Sequence, residues 1–286
     1  MHWTTTRFEI DLSQPKVMGI VNVTPDSFSD GGTHADARGA LAHCEQLLRE
    51  GADILDIGGE SSRPGAPPLP LDDELARVLP VLREAVRLGV PVSVDTYKPE
   101  VMRAALELGA DIVNDIFALR APGAVDAVAA HPRCGVCLMH MQGEPRSMQA
   151  SPAYGDVVAE VGAFLSEHAR ALQARGVTAS RIVLDPGIGF GKTVAHNYEL
   201  LARQRELLGL GYPLLAGWSR KSSLGAVTGR PVDERQTASV AAALAAVLHG
   251  ARVVRVHDVA MTVDALRVWG AAGLPGLRQS PATPGH

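Results

Sequence analysis

Cysteine is scarce in this chain, three residues among 286, which is too few for a disulfide framework. Two of them form Cys134-Gly135-Val136-Cys137, the C-x-x-C spacing of metal and redox sites. The motif leads into an apolar run, however, and strand positions three apart point to opposite faces. With no second ligand pair in the chain, two packed thiols are expected. A basic excess is missing too: the net charge of −4 argues against a general nucleic-acid surface and leaves any anion to a local cluster. No apolar core precedes a cleavage site near the N-terminus, so no signal peptide is expected. The alanine-rich run Thr237 to Leu248 is too short to span a bilayer and reads as a packed helix. These absences imply a soluble, cytoplasmic protein with neither a membrane nor a nucleic-acid partner.

A nucleotide-binding loop is absent as well. Asp185-Pro186-Gly187-Ile188-Gly189-Phe190-Gly191-Lys192-Thr193 ends like a P-loop, but Pro186 stands where the first glycine is required. Its G-x-G-x-G spacing also misses the dinucleotide fingerprint. The expected use of these glycines is to let backbone approach a flat ligand, with Phe190 as one wall and Asp185 at its edge. No Pro/Ser linker or charge block divides the chain. A single domain over residues 1–286 is therefore expected, with a frayed tail over 279–286.

What the chain does contain is repetition. Eight short apolar runs end at polar residues: Val17 to Val21, Asp53 to Glu60, Pro91 to Asp95, Asp111 to Asp115, Val136 to His140, Arg181 to Asp185, Pro213 to Gly217 and Arg252 to His257. Such nearly continuous hydrophobicity suits strands buried on both faces. Stretches with helical spacing lie between them, among them Leu41 to Arg49, Glu74 to Arg87 and Pro99 to Leu108. Gly51, Gly89, Gly109 and Gly176 follow helices, where a C-terminal cap needs positive φ. The pattern predicts an α/β fold, a single (β/α)8 TIM barrel over residues 16–275. Its reactive residues should lie at the strand ends. An open doubly wound sheet is the alternative. Arg7 to Ile10 and Asp11 to Pro15 are expected to form a short N-terminal hairpin over the barrel floor. Pro64 to Pro70 follows a strand and reads as a stiff active-site loop.

The most informative loop is Asn22-Val23-Thr24-Pro25-Asp26-Ser27-Phe28-Ser29-Asp30-Gly31-Gly32. It leaves a buried strand through an amide and places a phenylalanine among acids and hydroxyls. A connector has little use for the aromatic, and a core has little use for the acids. Loops on a rigid scaffold carry function, and this one fits an active site.

With this loop, Gly58-Gly59-Glu60-Ser61-Ser62-Arg63-Pro64-Gly65-Ala66, Ser93-Val94-Asp95-Thr96, Val113-Asn114-Asp115-Ile116 and Met139-His140-Met141-Gln142-Gly143 resemble the dihydropteroate synthases. So do Asp185 to Lys192, Gly217-Trp218-Ser219-Arg220-Lys221-Ser222 and Arg255-Val256-His257-Asp258-Val259. These segments run in family order across almost the whole chain, one at nearly every strand end. Ser62 departs from the threonine of many members but keeps the hydroxyl. Methyltetrahydrofolate methyltransferases share the scaffold but not the first two loops.

The resemblance implies displacement of pyrophosphate from a dihydropterin diphosphate by the amine of p-aminobenzoate, both small-molecule substrates. Asp95, Lys221 and Asp185 are the implied catalytic residues. Asp95, Asn114, Met139, Asp185 and Lys221 would hold the pterin, since a carboxylate can pair with an aminopyrimidinone edge. A buried anion would also steady positive charge as pyrophosphate leaves. Taken singly, each acid fits a helix cap or a turn; jointly, each closing a strand, they point to one site. Arg63, Arg255 and His257 are implied at the diphosphate, the last two through strand alternation. Mg2+ is the implied cofactor, with hard oxygens from Asn22 and Asp30. Phe28, Ser62, Pro64, Phe190 and Ser222 would take p-aminobenzoate, Ser222 at a helix N-terminus. Departure of the diphosphate before amine capture, an SN1-like path, is expected. The family also implies a homodimer, for which the small-residue helix Ser239 to Leu248 offers a packing surface. A non-catalytic pterin-binding paralogue and a pterin-dependent methyltransferase are the rivals. The first should have lost Asp95 or Lys221, and the second needs a corrinoid partner.

Overall fold

The computed structural model describes residues 1–23, 33–61, 65–144 and 146–274, with side chains in the first helix described from residue 37. In chain order the strands are β1 (His2–Thr4), β2 (Glu9–Asp11), β3 (Lys16–Asn22), β4 (Ile54–Gly58), β5 (Val92–Asp95), β6 (Ile112–Asp115), β7 (Gly135–Met139), β8 (Ile182–Asp185), β9 (Leu214–Ala216) and β10 (Ala251–Val256). The helices are α1 (Thr33–Arg49), α2 (Leu71–Ala85), α3 (Pro99–Glu107), α4 (Ala124–Ala129), α5 (Val157–Ala174), α6 (Val194–Ala202), α7 (Ser222–Thr228), α8 (Gln236–Leu248) and α9 (Val259–Ala271). Strands β3 to β10 pair in parallel and in sequence, and β10 returns to β3. That closure is a TIM barrel and excludes the open sheet.

Period-two alternation explains both the core and the site. Val17, Leu55, Val92, Val113, Val136, Ile182, Leu214 and Val254 turn outward into the large cluster shared with the helices. Their neighbours Met18, Ile54, Ile112, Cys137, Val183, Leu215 and Val253 turn inward and fill the lower barrel. Two residues further along the same inward face stand Asp56, Asn114, Met139, Asp185 and Arg255. Strands β4, β6, β8 and β10 thus pass from an apolar plug to a polar mouth within one pleat.

The expected hairpin exists, but its strands are His2–Thr4 and Glu9–Asp11 rather than 7–10 and 11–15. Trp3 faces Ile10 across the pair, and both join the barrel-interior cluster. The Trp3 indole N–H donates to the Arg181 carbonyl at 2.9 Å, pinning the plug to the barrel floor. Thr5 closes the turn: its hydroxyl donates to Phe8 O and accepts from Phe8 N–H. Burial of Trp3 against the barrel floor, whose Arg181 carbonyl is remote from the hairpin in sequence, set this register.

Gly51, Gly89, Gly109 and Gly176 adopt φ between 76° and 99°, as helix-ending glycines should. Cys134 packs in the outer cluster and Cys137 in the inner one, so the C-x-x-C thiols face apart. Among the described residues, no helix is long and apolar enough to cross a membrane. The tail at 279–286 lies outside the described residues.

Candidate active site

The strand register sets Asn22, Gly58, Asp95 and Asn114 side by side at the C-terminal mouth of the barrel. Met139 and Asp185 are likewise paired across β7 and β8. Arg255 crosses the mouth. Its Nε donates to Asp56 Oδ2 at 2.5 Å and its Nη2 to Asp95 Oδ2 at 2.6 Å. Asn114 Nδ2 donates to that same Asp56 oxygen at 3.1 Å. One guanidinium therefore ties two carboxylates together, and one of them orients the amide. Asp56 is fully buried, and its Oδ1 has no hydrogen-bond partner.

Burial sets the protonation of this ring. It pushes Asp95 up to about 7, against Arg255, with Asp56 adding to the rise. Asp185 is also raised by burial, opposed by the Gly187 N–H that its Oδ1 accepts at 2.7 Å and by Lys221. Burial brings Lys221 down to about 8, helped by Arg255 and opposed by Asp185 and Asp95. Asp95 and Lys221 are thus poised near neutrality, a pattern that marks functional sites.

An apolar wall faces them. Ile116, Met139, Met141, Met148 and Phe190 pack together, flanked by Tyr97 and Phe117. The Lys221 ammonium sits 4.2 Å from the Phe190 ring centroid, a cation–π contact. A cleft of about 230 Å3 opens beside Asp95, lined among others by Glu60, Glu74, Thr96, Tyr97 and Phe117. Glu60 accepts from the Tyr97 hydroxyl at 2.9 Å, and Lys98 bridges Glu60 and Glu74.

The structure revises one expectation and adds the surroundings of two other residues. The glycines after Asp185 serve protein packing more than ligand approach: a Cβ on Gly187 would lie 1.8 Å from His140 O, and one on Gly191 would lie 2.4 Å from Gln142 O. Both have positive φ, so these positions accept glycine on two counts. Buried Lys192 locks the same loop, donating to Gly187 O at 2.9 Å and Phe190 O at 3.0 Å and meeting His140 Nδ1 at 2.8 Å. Arg255, expected at the diphosphate, is ion-paired with both Asp56 and Asp95. His257, expected beside it, is pushed down to about 3 by burial and by Arg255 and Arg220, so it is neutral near pH 7.

Asp95, Asn114, Met139, Asp185, Lys221 and Phe190 are brought to one mouth, with Asn22 in register beside them. Ser222 is exposed and opens α7 directly after Lys221. Phe28, Asp30, Ser62, Arg63 and Pro64 lie outside the described residues. Asp56, Lys192 and Ser219 are functional candidates that the pattern reading passed over. An acid inside the apolar run Ile54-Leu55-Asp56-Ile57 was a signal for the first, because a buried charge needs a partner. No group of three or more His, Cys, Asp or Glu among the described residues could hold a metal unaided. Asn22 offers one hard oxygen, which suits Mg2+ where substrate phosphates supply the others.

A family described as "Pterin binding enzyme" matches residues 18–257. Dihydropteroate synthase of Neisseria meningitidis serogroup C is 54% identical over 276 residues, covering 95% of this chain and 98% of that protein. The structure of Xanthomonas albilineans dihydropteroate synthase with 4-aminobenzoic acid superposes with a TM-score of 0.87 at 54% identity, over 93% of this chain and 95% of the other. Burkholderia cenocepacia dihydropteroate synthase complexed with 7,8-dihydropteroate gives 0.86 at 54% identity, over 95% and 96%.

Proposed function

The chain belongs to the pterin binding enzymes, among the dihydropteroate synthases, and from that membership we propose that it joins 6-hydroxymethyl-7,8-dihydropterin diphosphate to p-aminobenzoate, releasing pyrophosphate. Its class is transferase. The observation that carries the substrate assignment is the mouth itself, where Asp95, Asn114 and Asp185 meet Lys221 beside the Met139 and Phe190 wall. A flat ring with N–H groups on one edge and a carbonyl on another fits that combination. The carboxylates accept from the ring N–H groups, Asn114 both donates and accepts, and Lys221 donates to the carbonyl.

The chemistry follows from charge. As the diphosphate leaves, the pterin methylene gains positive character. Asp95 and Asp185 already sit in a water-poor site, preorganised to stabilise it, an effect commonly worth about 3 kcal/mol. That favours an SN1-like path in which the neutral arylamine captures the cation. The diphosphate is received by Arg63 and Arg255, and by His257 as a neutral N–H donor. Asn22 and Asp30 would hold Mg2+, which would supply positive charge to offset that of the departing diphosphate. Phe28, Ser62 and Pro64 complete the arylamine half-site with Phe190 and Ser222, in a cytoplasmic, single-domain enzyme. We place a homodimer contact on α8, because Val227, Met261 and Val268 stand exposed on its neighbours α7 and α9. Sedimentation would read that state.

The direct test mixes protein, Mg2+, the dihydropterin diphosphate and p-aminobenzoate, and follows dihydropteroate by mass. Binding without product would convert the reading to a non-catalytic pterin protein. The path is tested by omitting the amine: slow pyrophosphate release is expected from the native chain and suppressed release from Asp95→Asn. No release from the native chain would favour direct displacement.

A further inference from the structure

Within Gly217-Trp218-Ser219-Arg220-Lys221-Ser222, the Ser219 hydroxyl has no place in the reaction above. Ser219 is 6% exposed, and its Oγ lies 2.9 Å from His257 Nδ1 and 3.1 Å from the His257 backbone nitrogen. The backbone N–H can only donate, so it occupies one lone pair of the hydroxyl. The remaining choice is which atom carries the hydrogen between Oγ and Nδ1. If Nδ1 carried it, two N–H groups of one residue would converge on a single oxygen. The serine's own proton would then lack an acceptor among the described residues in a nearly closed site, an arrangement proteins avoid. If the hydroxyl donates, every group is satisfied. Nδ1 is then a bare acceptor, and the ring proton must lie on Nε2.

We propose that Ser219 is a positioning residue that holds His257 in the Nε2–H tautomer and so makes a neutral imidazole a hydrogen-bond donor to the diphosphate. The inference rests on the proposed function for the identity of the anion alone. Its physical content is a matter of sign. An Nε2–H ring offers the phosphate a proton, whereas an Nδ1–H ring would turn a lone pair toward it. His257 is neutral near pH 7 because burial, Arg255 and Arg220 all disfavour its charge, while Asp258 opposes them less strongly. The ring therefore meets an incoming anion uncharged, and the tautomer decides whether it presents a proton or a lone pair.

The neighbouring residues reinforce the geometry. Arg220, directly after Ser219, pairs with Asp258, directly after His257, at 2.6 Å. Arg220 also has φ of 56°, left-handed for a non-glycine residue, and its N–H donates to Ser239 Oγ at 2.9 Å. Two adjacent cross-links thus join the strand-end loops of β9 and β10, which fixes the hydroxyl against the ring.

The test uses the substrate-free, full-length protein labelled with 15N-histidine. Two-bond proton–nitrogen correlation spectra distinguish the two neutral tautomers, and His257→Gln identifies the signal by its loss. The native chain should show Nε2–H. Ser219→Ala should shift the ring toward a mixture or toward Nδ1–H, and Ser219→Thr should restore the native pattern. Affinity for inorganic pyrophosphate, measured with Mg2+ present, should fall roughly tenfold in Ser219→Ala, as for one lost hydrogen bond to a charged group. Affinity for a free pterin should hold. A native Nδ1–H ring overturns the inference, as does a Ser219→Ala protein with unchanged tautomer and unchanged pyrophosphate affinity. A native Nε2–H ring in a protein that makes no dihydropteroate would instead strike at the functional reading and leave the tautomer assignment standing.

Discussion

Replacing Arg255 with alanine probes the charge ring where the structure makes it most quantitative. The guanidinium is 20% exposed and bonds Asp56, which is 0% exposed, and Asp95, which is 14% exposed. Removing one partner of a buried ion pair typically costs about 3–5 kcal/mol, because the abandoned charge has no water to return to. The mouth is partly open on the Asp95 side, so the lower end, about 3 kcal/mol near pH 7, is expected. For a chain of this size that corresponds to a fall in Tm of roughly 6 °C. The pH dependence gives the sharper signature. Asp95 is already raised to about 7 by burial, with Arg255 opposing the rise. Without that cation its folded-state value climbs further. A carboxylate raised in the folded state binds more protons there than in the unfolded chain, so its contribution to stability falls as pH rises. Well below 7 Asp95 is protonated in both proteins and its share of the deficit vanishes; above 7 that share grows by up to about 1.4 kcal/mol per unit. The deficit should therefore widen between about pH 6 and pH 8.5. Adding Asp56→Asn to the variant should recover part of the loss, a coupling expected of residues in one network. Thermal melts at both pH values, with the double variant alongside, measure all of this. A deficit independent of pH and unrelieved by Asp56→Asn would mean that Arg255 contributes packing alone.

The same ring predicts a bell-shaped pH profile of kcat/KM. Activity should rise as Asp95 ionises through about 7 and fall as Lys221 loses its proton above about 8; an acid limb that survives in Asp95→Asn would contradict the assignment. Gly187→Ala should cost well over about 1–2 kcal/mol, because a positive φ and a backbone clash add, and pterin affinity should drop with it. Gly89→Ala, at φ of 76° with nothing within 4 Å, should cost far less, and equal melts for the two would refute the packing argument. All three cysteines are buried, so a thiol reagent should find none reactive in the native protein and three after denaturation; early reaction of Cys134 or Cys137 would show that the C-x-x-C segment opens.

Local pattern was enough for the scaffold. Each apolar run carries its own strand signal, and glycines such as Gly51 and Gly109 carry their own stop signal, so eight βα units were readable without any contact between them. Closing residues such as Asp95 and Asp185 were readable for the same reason, since a carboxylate at the end of a buried strand is a local anomaly. The identity of partners was not local. Arg255 and Asp56 are 199 positions apart, and Arg255 and Asp95 are 160 apart. Only barrel closure, with β10 returning to β3, brings that guanidinium over those acids. The hairpin register depended on Trp3 finding the barrel floor, and the glycines of the Asp185 loop depended on how closely the β7 loop runs beneath them. Protonation was decided last of all. His257 is neutral and Asp95 half-titrated near pH 7 because folding removed their water, and desolvation has no sequence period to read.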